Sequence, residues 1–414
     1  MIKMYFPLRE LSVGVIRFPK VILGVGAADQ VASEVKKLTG GRSVFLATDE
    51  IIGEIHGGKV KDLLEDGGFD VVMYDKCASA GKGGPSASSY QNMADAMRAE
   101  SVDVVVGLGG GSVLDQTKFV SVMYTNPGTV VEFMKGEKNM VTPGLPKITM
   151  PTTSGTGSET NDYPSVVHYE TGGYAAQLHA GQYHMANVSI IDPQLCMTMP
   201  RSVTAGTGLD VFSHMNFKYF TKAHSAMEPF IDTLSLGVYG MIAHNLMAAY
   251  CDGGNLEART NMCWASALAH PAIRSPEGEL IPTGDWSHVL GGSIEKYNVP
   301  HGVSVGVFLP YDLESTYLPT RPEKLAVMAR AMGEKIDGLT TKEAGLKAVR
   351  AVKRLCEDMK IPTLKELSIP KKDLPEIAKA VLRRQRPGWL RHYSERELIE
   401  LYERAWDGTL AHGM

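Results

Sequence analysis

The sequence predicts an α/β N-terminal half, doubly wound around a parallel sheet, followed by an all-α C-terminal half. Two changes of texture and the chain length carry that prediction. Up to about Cys196, short apolar runs alternate with amphipathic segments, the pattern of strands covered by helices on both faces. After Pro200 nearly every segment has helical periodicity and few strand-like runs interrupt it. At 414 residues the chain is long for one compact domain and comfortable for two. The boundary falls near Ile191–Pro200, giving a first domain over 1–196 and a second over 197–414.

In the first half, Ser43–Asp49 (SVFLATD), Phe69–Asp75 (FDVVMYD), Val102–Gly110 (VDVVVGLGG) and Lys147–Thr153 (KITMPTT) read as strands. Between them Asp29–Lys37 and Tyr90–Glu100 read as amphipathic helices. In the second half, helices are expected over Glu228–Tyr250, Leu256–His270, Pro322–Glu334, Thr341–Met359, Asp373–Arg383 and Ser394–Trp406. Ser394 followed by Glu397 is a capping-box signature.

Composition narrows the function. With 42 basic and 46 acidic residues the net charge is −4, without the basic excess of a nucleic-acid binder. Five scattered cysteines without a CxxC pair read as reduced thiols in a cytoplasmic protein. The N-terminus lacks a signal-peptide pattern, and no apolar stretch approaches the roughly 20 residues of a membrane span.

Gly109, Gly110, Gly111 and Ser112 fall where a strand gives way to a helix. In an open α/β sheet that is where ligands bind. Glycines let a phosphate reach backbone amides, and the helix start adds a partial positive end. The same four residues also suit a tight turn with no ligand. Met150–Glu159 (MPTTSGTGSE) ends another strand with five hydroxyl-bearing residues and two glycines. It reads either as a cradle for ribose and phosphate or as a solvated loop. Asp49 ends the strand SVFLATD and is either an acceptor for a ribose 2′-OH or a helix N-cap.

Asp210 and His214 are spaced i, i+4, which puts both on one face of a helix. His288 and His301 lie in a glycine-rich stretch, His301 between Pro300 and Gly302 just before an apolar run. One carboxylate and three imidazoles suit iron, zinc or nickel. His244 and His270 lie on apolar helical faces and read as packing residues.

Five stretches in order resemble the iron-containing (group III) alcohol dehydrogenase family. They are GGGSVLD with Lys118, MPTTSGTGSE, IIDP at Ile190–Pro193, TAGTGLDVFSH, and VPHG followed by an apolar, strand-like run. The resemblance implies a Rossmann-like dinucleotide-binding domain plus an all-α domain, the dehydroquinate synthase-like fold. It implies Asp210, His214, His288 and His301 as ligands of a divalent ion, Fe²⁺ first, with Zn²⁺ or Ni²⁺ as alternatives. It further implies Gly109–Ser112 as the pyrophosphate loop, with Thr152, Thr153 and Thr156 as further NAD(H) contacts. Asp49 matches a position whose carboxylate favours NAD over NADP. Asp115 and Lys118 read as braces of the loop. The expected activity is interconversion of a small primary alcohol and its aldehyde by hydride transfer, in a homodimer or larger homo-oligomer. No side-chain nucleophile is required, because the ion acts as Lewis acid.

The chain departs from the family in three places. Gly292 stands where relatives often carry a histidine. The His288–His301 interval is one residue short. The segment before IIDP contains His179 and His184, which read as substrate-side or surface residues. Arg274, ahead of the third ligand, reads as a surface arginine or as the partner of an anionic substrate tail. The alternatives to the dehydrogenase are a hydroxyacid–oxoacid transhydrogenase and a non-catalytic nucleotide- and metal-binding regulator.

Overall fold

The computed structural model describes residues 15–78, 84–168, 174–177, 181–220, 228–274, 286–386 and 389–413. The chain divides into two compact units, and a single cut does not separate them. One unit takes Arg17–Thr207 together with Ala248–Ala272; the other takes the chain up to Ile16, Gly208–Met247 and the chain after Ala272.

The first unit is built on six parallel strands: β1 (Lys20–Leu23), β2 (Ser43–Ala47), β3 (Asp70–Tyr74), β4 (Val104–Gly109), β5 (Lys147–Pro151) and β6 (Val188–Ile191). Their spatial order is β1-β6-β5-β4-β2-β3. From β2 the chain steps outward to β3 and then returns to place β4 on the opposite side of β2. The winding therefore reverses between β2 and β4, the switch point where such sheets take ligands. β4 and β5 are wholly buried, which accounts for the unbroken apolar run of β4. Each buried Val, Ile or Leu contributes roughly 1.5–3 kcal/mol relative to exposure. The helices α1 (Val31–Leu38), α2 (Gly58–Asp66), α3 (Ala87–Arg98) and α4 (Gly111–Met123) connect the strands. Their apolar residues join two clusters, one holding Val31, Val60 and Leu64, the other Tyr90, Met93 and Phe119. Beyond β5, Ser165–His168 and Tyr174–Gln177 form an antiparallel pair.

The second unit is mostly helical among its described residues, apart from residues it contributes to a short strand pair, Val15–Arg17 with Ala272–Arg274. Helices α5 (Arg201–Tyr219) and α6 (Glu228–Cys251) contribute residues to both units, and α7 (Leu256–Ala269) belongs to the first. Then come α8 (Trp286–Gly292), α9 (His301–Asp312), α10 (Pro322–Ala331), α11 (Thr341–Asp358), α12 (Leu374–Leu382) and α13 (Glu395–Asp407). Complete capping boxes start α11 at Thr340/Glu343 and α13 at Ser394/Glu397.

Two sequence expectations are corrected here. The apolar run after VPHG is helix α9, not a strand. From Ser304 to Asp312 it is buried on every side, so no polar face marks its period. His244 is exposed on α6, with Nδ1 2.7 Å from the Gly240 carbonyl, rather than packed in a core.

Candidate metal centre and phosphate cradle

Within the α/β unit, strand register fixes the cradle. Gly109 at the end of β4 pairs with Pro151 at the end of β5, so the loops that follow both strands leave the sheet side by side. Thr152 N–H then donates to the Gly109 carbonyl at 2.9 Å. A Cβ on Gly109 would stand 2.6 Å from the Val113 side chain, and one on Gly111 would stand 2.5 Å from Thr156. Those two glycines are therefore required by packing alone.

Gly110 differs. Its backbone is ordinary extended chain (φ −74°, ψ 179°), and an added Cβ would meet nothing closer than Thr153 at 3.5 Å. Neither conformation nor packing calls for glycine there. It caps α4 without any side-chain hydrogen bond, and the first bond of the helix runs from Val113 N–H to the Gly110 carbonyl at 3.0 Å. The amides of Gly111 and Ser112 precede that bond and belong to the open, partially positive helix end. Beside them the Thr152 hydroxyl oxygen is buried without a hydrogen-bond partner among the described residues. An orphaned hydroxyl and a glycine kept bare beside a helix N-terminus fit an anionic, hydroxyl-rich ligand. Thr153 and Thr156 line the same loop, both half-buried.

The second loop is braced from behind. Lys118, fully buried on α4, donates to the Ser158 carbonyl at 3.0 Å and to Asn161 Oδ1 at 2.7 Å. Asp115 accepts from Ser158 Oγ at 2.5 Å and pairs with Lys118 at 3.0 Å. His270 is buried after α7, its Nδ1 3.1 Å from the Thr156 carbonyl, and its Nε2 meets the Tyr163 hydroxyl. Asp49 is an N-cap: its Oδ1 accepts from Ile51 and Ile52 N–H at 3.1 Å each.

The helical unit gathers the other sequence-predicted set. Asp210 lies mid-way along α5 with His214 one turn on, His288 is on α8, and His301 opens α9. Close helix approaches put them together. Gly306 on α9 faces Leu209 beside Asp210, where a Cβ would come within 2.7 Å. Gly291 on α8 faces the Ser304–Val305 backbone of α9, where a Cβ would come within 3.0 Å. Asp210 Oδ1 consequently stands at the hub of three imidazoles: His288 Nε2 at 3.3 Å, His214 Nε2 at 3.5 Å and His301 Nε2 at 3.6 Å. Ligand atoms of Asp210, His288 and His301 all lie within 4.8 Å of one another.

Those separations are long for charge-assisted hydrogen bonds. They fit the edges of a coordination polyhedron, since bonds of about 2.1 Å in a tetrahedron give edges of roughly 3.4 Å. Asp210 Oδ1 is itself buried without a hydrogen bond among the described residues. Burial works against the Asp210 carboxylate, but the surrounding imidazoles outweigh it and hold its pKa well below the usual range. Burial pulls His214 down to about 3, so at neutral pH this imidazole is uncharged and its lone pair is available. An ionised carboxylate among imidazole nitrogens is the donor set of a divalent transition ion.

The outer contacts are specific as well. His288 Nδ1 lies 2.8 Å from Ser213 Oγ, which lies 2.8 Å from Ser287 Oγ. His301 Nδ1 lies 2.6 Å from Glu295 Oε1. The Phe217 ring borders the cluster edge-on, its centroid 5.9 Å from His214 and 6.1 Å from His288. Sequence reasoning missed Ser213, Ser287 and Glu295, because their roles depend on turns that bring them behind the ligands.

The substrate-side positions read from the sequence fare differently. His184 is fully buried, its ring centroid 5.4 Å from that of Phe119, so it is not a surface histidine. Its burial against an aromatic core also keeps it from open solvent where a substrate could meet it. His179, the segment 275–285 and the side chain of Arg274 lie outside the described residues.

Comparison with known proteins completes the picture. Residues 19–193 match the family described as iron-containing alcohol dehydrogenase, and residues 204–406 match the C-terminal region of the Fe-containing alcohol dehydrogenase family. The chain is 31% identical over 364 residues to a sulfoacetaldehyde reductase of Bilophila wadsworthia, covering 87% of this chain and 89% of that protein. It is 31% identical to a 1,3-propanediol dehydrogenase of Citrobacter freundii over 92% of this chain and 95% of that one. The crystal structure of a 1,3-propanediol oxidoreductase superposes with a TM-score of 0.83 at 28% identity, covering 95% of this chain and all (100%) of that one.

Proposed function

The chain belongs to the iron-containing alcohol dehydrogenase family, and from that premise we propose a specific division of labour for its metal-dependent, NAD(H)-linked interconversion of an alcohol and its aldehyde. Asp210, His214, His288 and His301 hold Fe²⁺, and the loops after β4 and β5 hold NAD(H). In domain terms, the α/β unit is the cofactor half, taking Ala248–Ala272 with it, and the helical unit is the metal half of a cytoplasmic homo-oligomer. Among the described residues no helix is long and apolar enough to cross a membrane. The observation that carries the reading is the hub of three Nε2 atoms at 3.3–3.6 Å around Asp210 Oδ1.

When bound, the ion supplies a Lewis acid for the substrate oxygen and the nicotinamide supplies or accepts the hydride. The chain's own residues do the rest. Asp210 stays ionised and His214 uncharged near neutral pH, so neither needs to lose a proton before binding the ion. Gly110 leaves backbone amides open to pyrophosphate, and the Thr152 hydroxyl has its bonding capacity free for the same ligand. Asp49 keeps a carboxylate near the switch point, which suits a free 2′-OH and repels a 2′-phosphate.

The substrate is a small aldehyde or primary alcohol. The two named relatives act, by their names, on an anionic aldehyde and on a neutral diol. The deciding experiment is an NADH-oxidation screen over anionic and neutral small aldehydes, with metal content measured by mass spectrometry and Fe²⁺, Zn²⁺ or Ni²⁺ added back to chelated protein. Restoration by Fe²⁺ is expected. Full turnover by protein stripped of metal would overturn the assignment. Turnover that required an oxoacid acceptor, with no net NADH change, would instead favour the transhydrogenase.

A further inference from the structure

Glu295 has no part in the ligand set, yet its carboxylate makes one of the shortest polar contacts around the cluster. It lies in a 3-10 turn, Glu295–Tyr297, that ends at Asn298 in the left-handed region (φ 62°). The turn reverses the chain after α8 and brings Glu295 beneath His301, the first residue of α9. Glu295 Oε1 stands 2.6 Å from His301 Nδ1. Ser304 Oγ, one turn along α9, lies 3.3 Å from the same oxygen and 2.8 Å from the His301 carbonyl, its one proton shared between the two acceptors. The carboxylate is thus tied to two positions of the helix that carries the ligand.

Chemistry follows from this geometry. A carboxylate only accepts, so His301 Nδ1 must carry the proton and donate it. In the neutral ring that binds an ion, the Nε2 atom, 3.6 Å from Asp210 Oδ1, is then the lone-pair nitrogen facing the cluster. The contrast with His288 is direct: its Nδ1 meets a serine hydroxyl, which can donate or accept and adds no charge. We propose that Glu295 is a positioning residue for the metal centre, fixing the His301 tautomer and ring orientation and supplying the second negative charge that, with Asp210, balances a divalent ion. The inference rests on the reading of the four-residue cluster as a metal site. It adds a residue that touches neither the ion nor the substrate and acts through His301.

The test measures metal binding on the full-length protein. Chelator-stripped wild type, Glu295→Gln and Glu295→Ala are titrated with Zn²⁺ in competition with a chromophoric chelator, and their metal-free melting temperatures and NADH affinities are measured in parallel. Outer partners of metal-bound histidines are generally worth about 10- to 100-fold in metal affinity. The Ala variant is therefore expected to lose about that much. The Gln variant, which keeps an acceptor but not the charge, should fall between, with NADH affinity unchanged in both. Zn²⁺ affinity within twofold of wild type in both variants would overturn the role of Glu295 and leave the metal site standing. Failure of the wild type to bind Zn²⁺ would remove the metal reading itself, and this inference with it. If the Ala variant does not fold, the isosteric Gln variant decides: affinity within twofold of wild type overturns the inference.

Discussion

The proposed phosphate cradle and the proposed metal centre would solve the same problem, holding a charged ligand, by opposite means. The cradle is made of two short loops, after β4 and β5, and largely of backbone: bare glycine at 110, two helix-start amides, and hydroxyls that follow the adjacent strand. The centre is made of side chains from three helices, Asp210 and His214 on one, His288 and His301 on the other two. A backbone site is positioned once the sheet register is set. A side-chain site needs each helix in place and each ring turned correctly, so it needs outer partners such as Ser213 and Glu295. The cradle should therefore fail by steric filling and the centre by loss of a donor.

Replacing His288 with alanine should separate the two most sharply. Metal content should collapse and turnover fall about 10³-fold, equivalent to roughly 4 kcal/mol of transition-state stabilisation. NADH affinity, followed by fluorescence titration, should stay near wild type. Retained metal would show that three ligands suffice and that the hub around Asp210 is not the binding determinant.

The converse change is Gly110→Val. No backbone strain opposes it and the nearest atom to a new Cβ is 3.5 Å away, so the fold should persist. NADH affinity should drop at least about tenfold, about 1.4 kcal/mol, while metal content is unchanged. The matched control is Gly109→Ala, where the Cβ would stand 2.6 Å from Val113, and a lower melting temperature is expected instead. If Gly110→Val binds NADH normally, the bare position has another cause.

Thr152→Val gives the smallest effect. Its hydroxyl has no hydrogen-bond partner among the described residues, so losing it should not lower the melting temperature. Weakening of NADH binding by a few-fold, about 0.5–1.5 kcal/mol, would identify the hydroxyl as a ligand contact. Unchanged affinity would restrict the cradle to backbone.

The same contrast explains what could be read from the sequence. Strand ends, glycine loop and hydroxyl loop were legible because each is a local pattern, and Ser43–Ala47, Asp70–Tyr74, Val104–Gly109 and Lys147–Pro151 are all strands within the stretches expected. The short outer strand Lys20–Leu23 carries too little pattern to stand out. Helix α9 was hidden by burial on every side. The proposed ligands Asp210, His214, His288 and His301 were legible through motif resemblance, and the structure brings the three imidazoles around Asp210 Oδ1. Glu295 was not, because its position behind His301 depends on a left-handed residue at 298 that sequence spacing does not reveal. Nor was the return of Ala248–Ala272 to the α/β unit, which needs contacts distant in sequence.

Asp49 carries a final consequence, for redesign of cofactor preference. One of its carboxylate oxygens already starts the helix that follows β2, so the charge that would exclude a 2′-phosphate and the acceptor that begins the helix are the same side chain. Exchanging it for alanine or a bulky basic residue would change coenzyme discrimination and fray the helix together, at about 1 kcal/mol for the lost cap. Asparagine removes the charge and keeps the acceptor. It is the substitution through which this scaffold could be opened to the phosphorylated coenzyme without loosening its own framework.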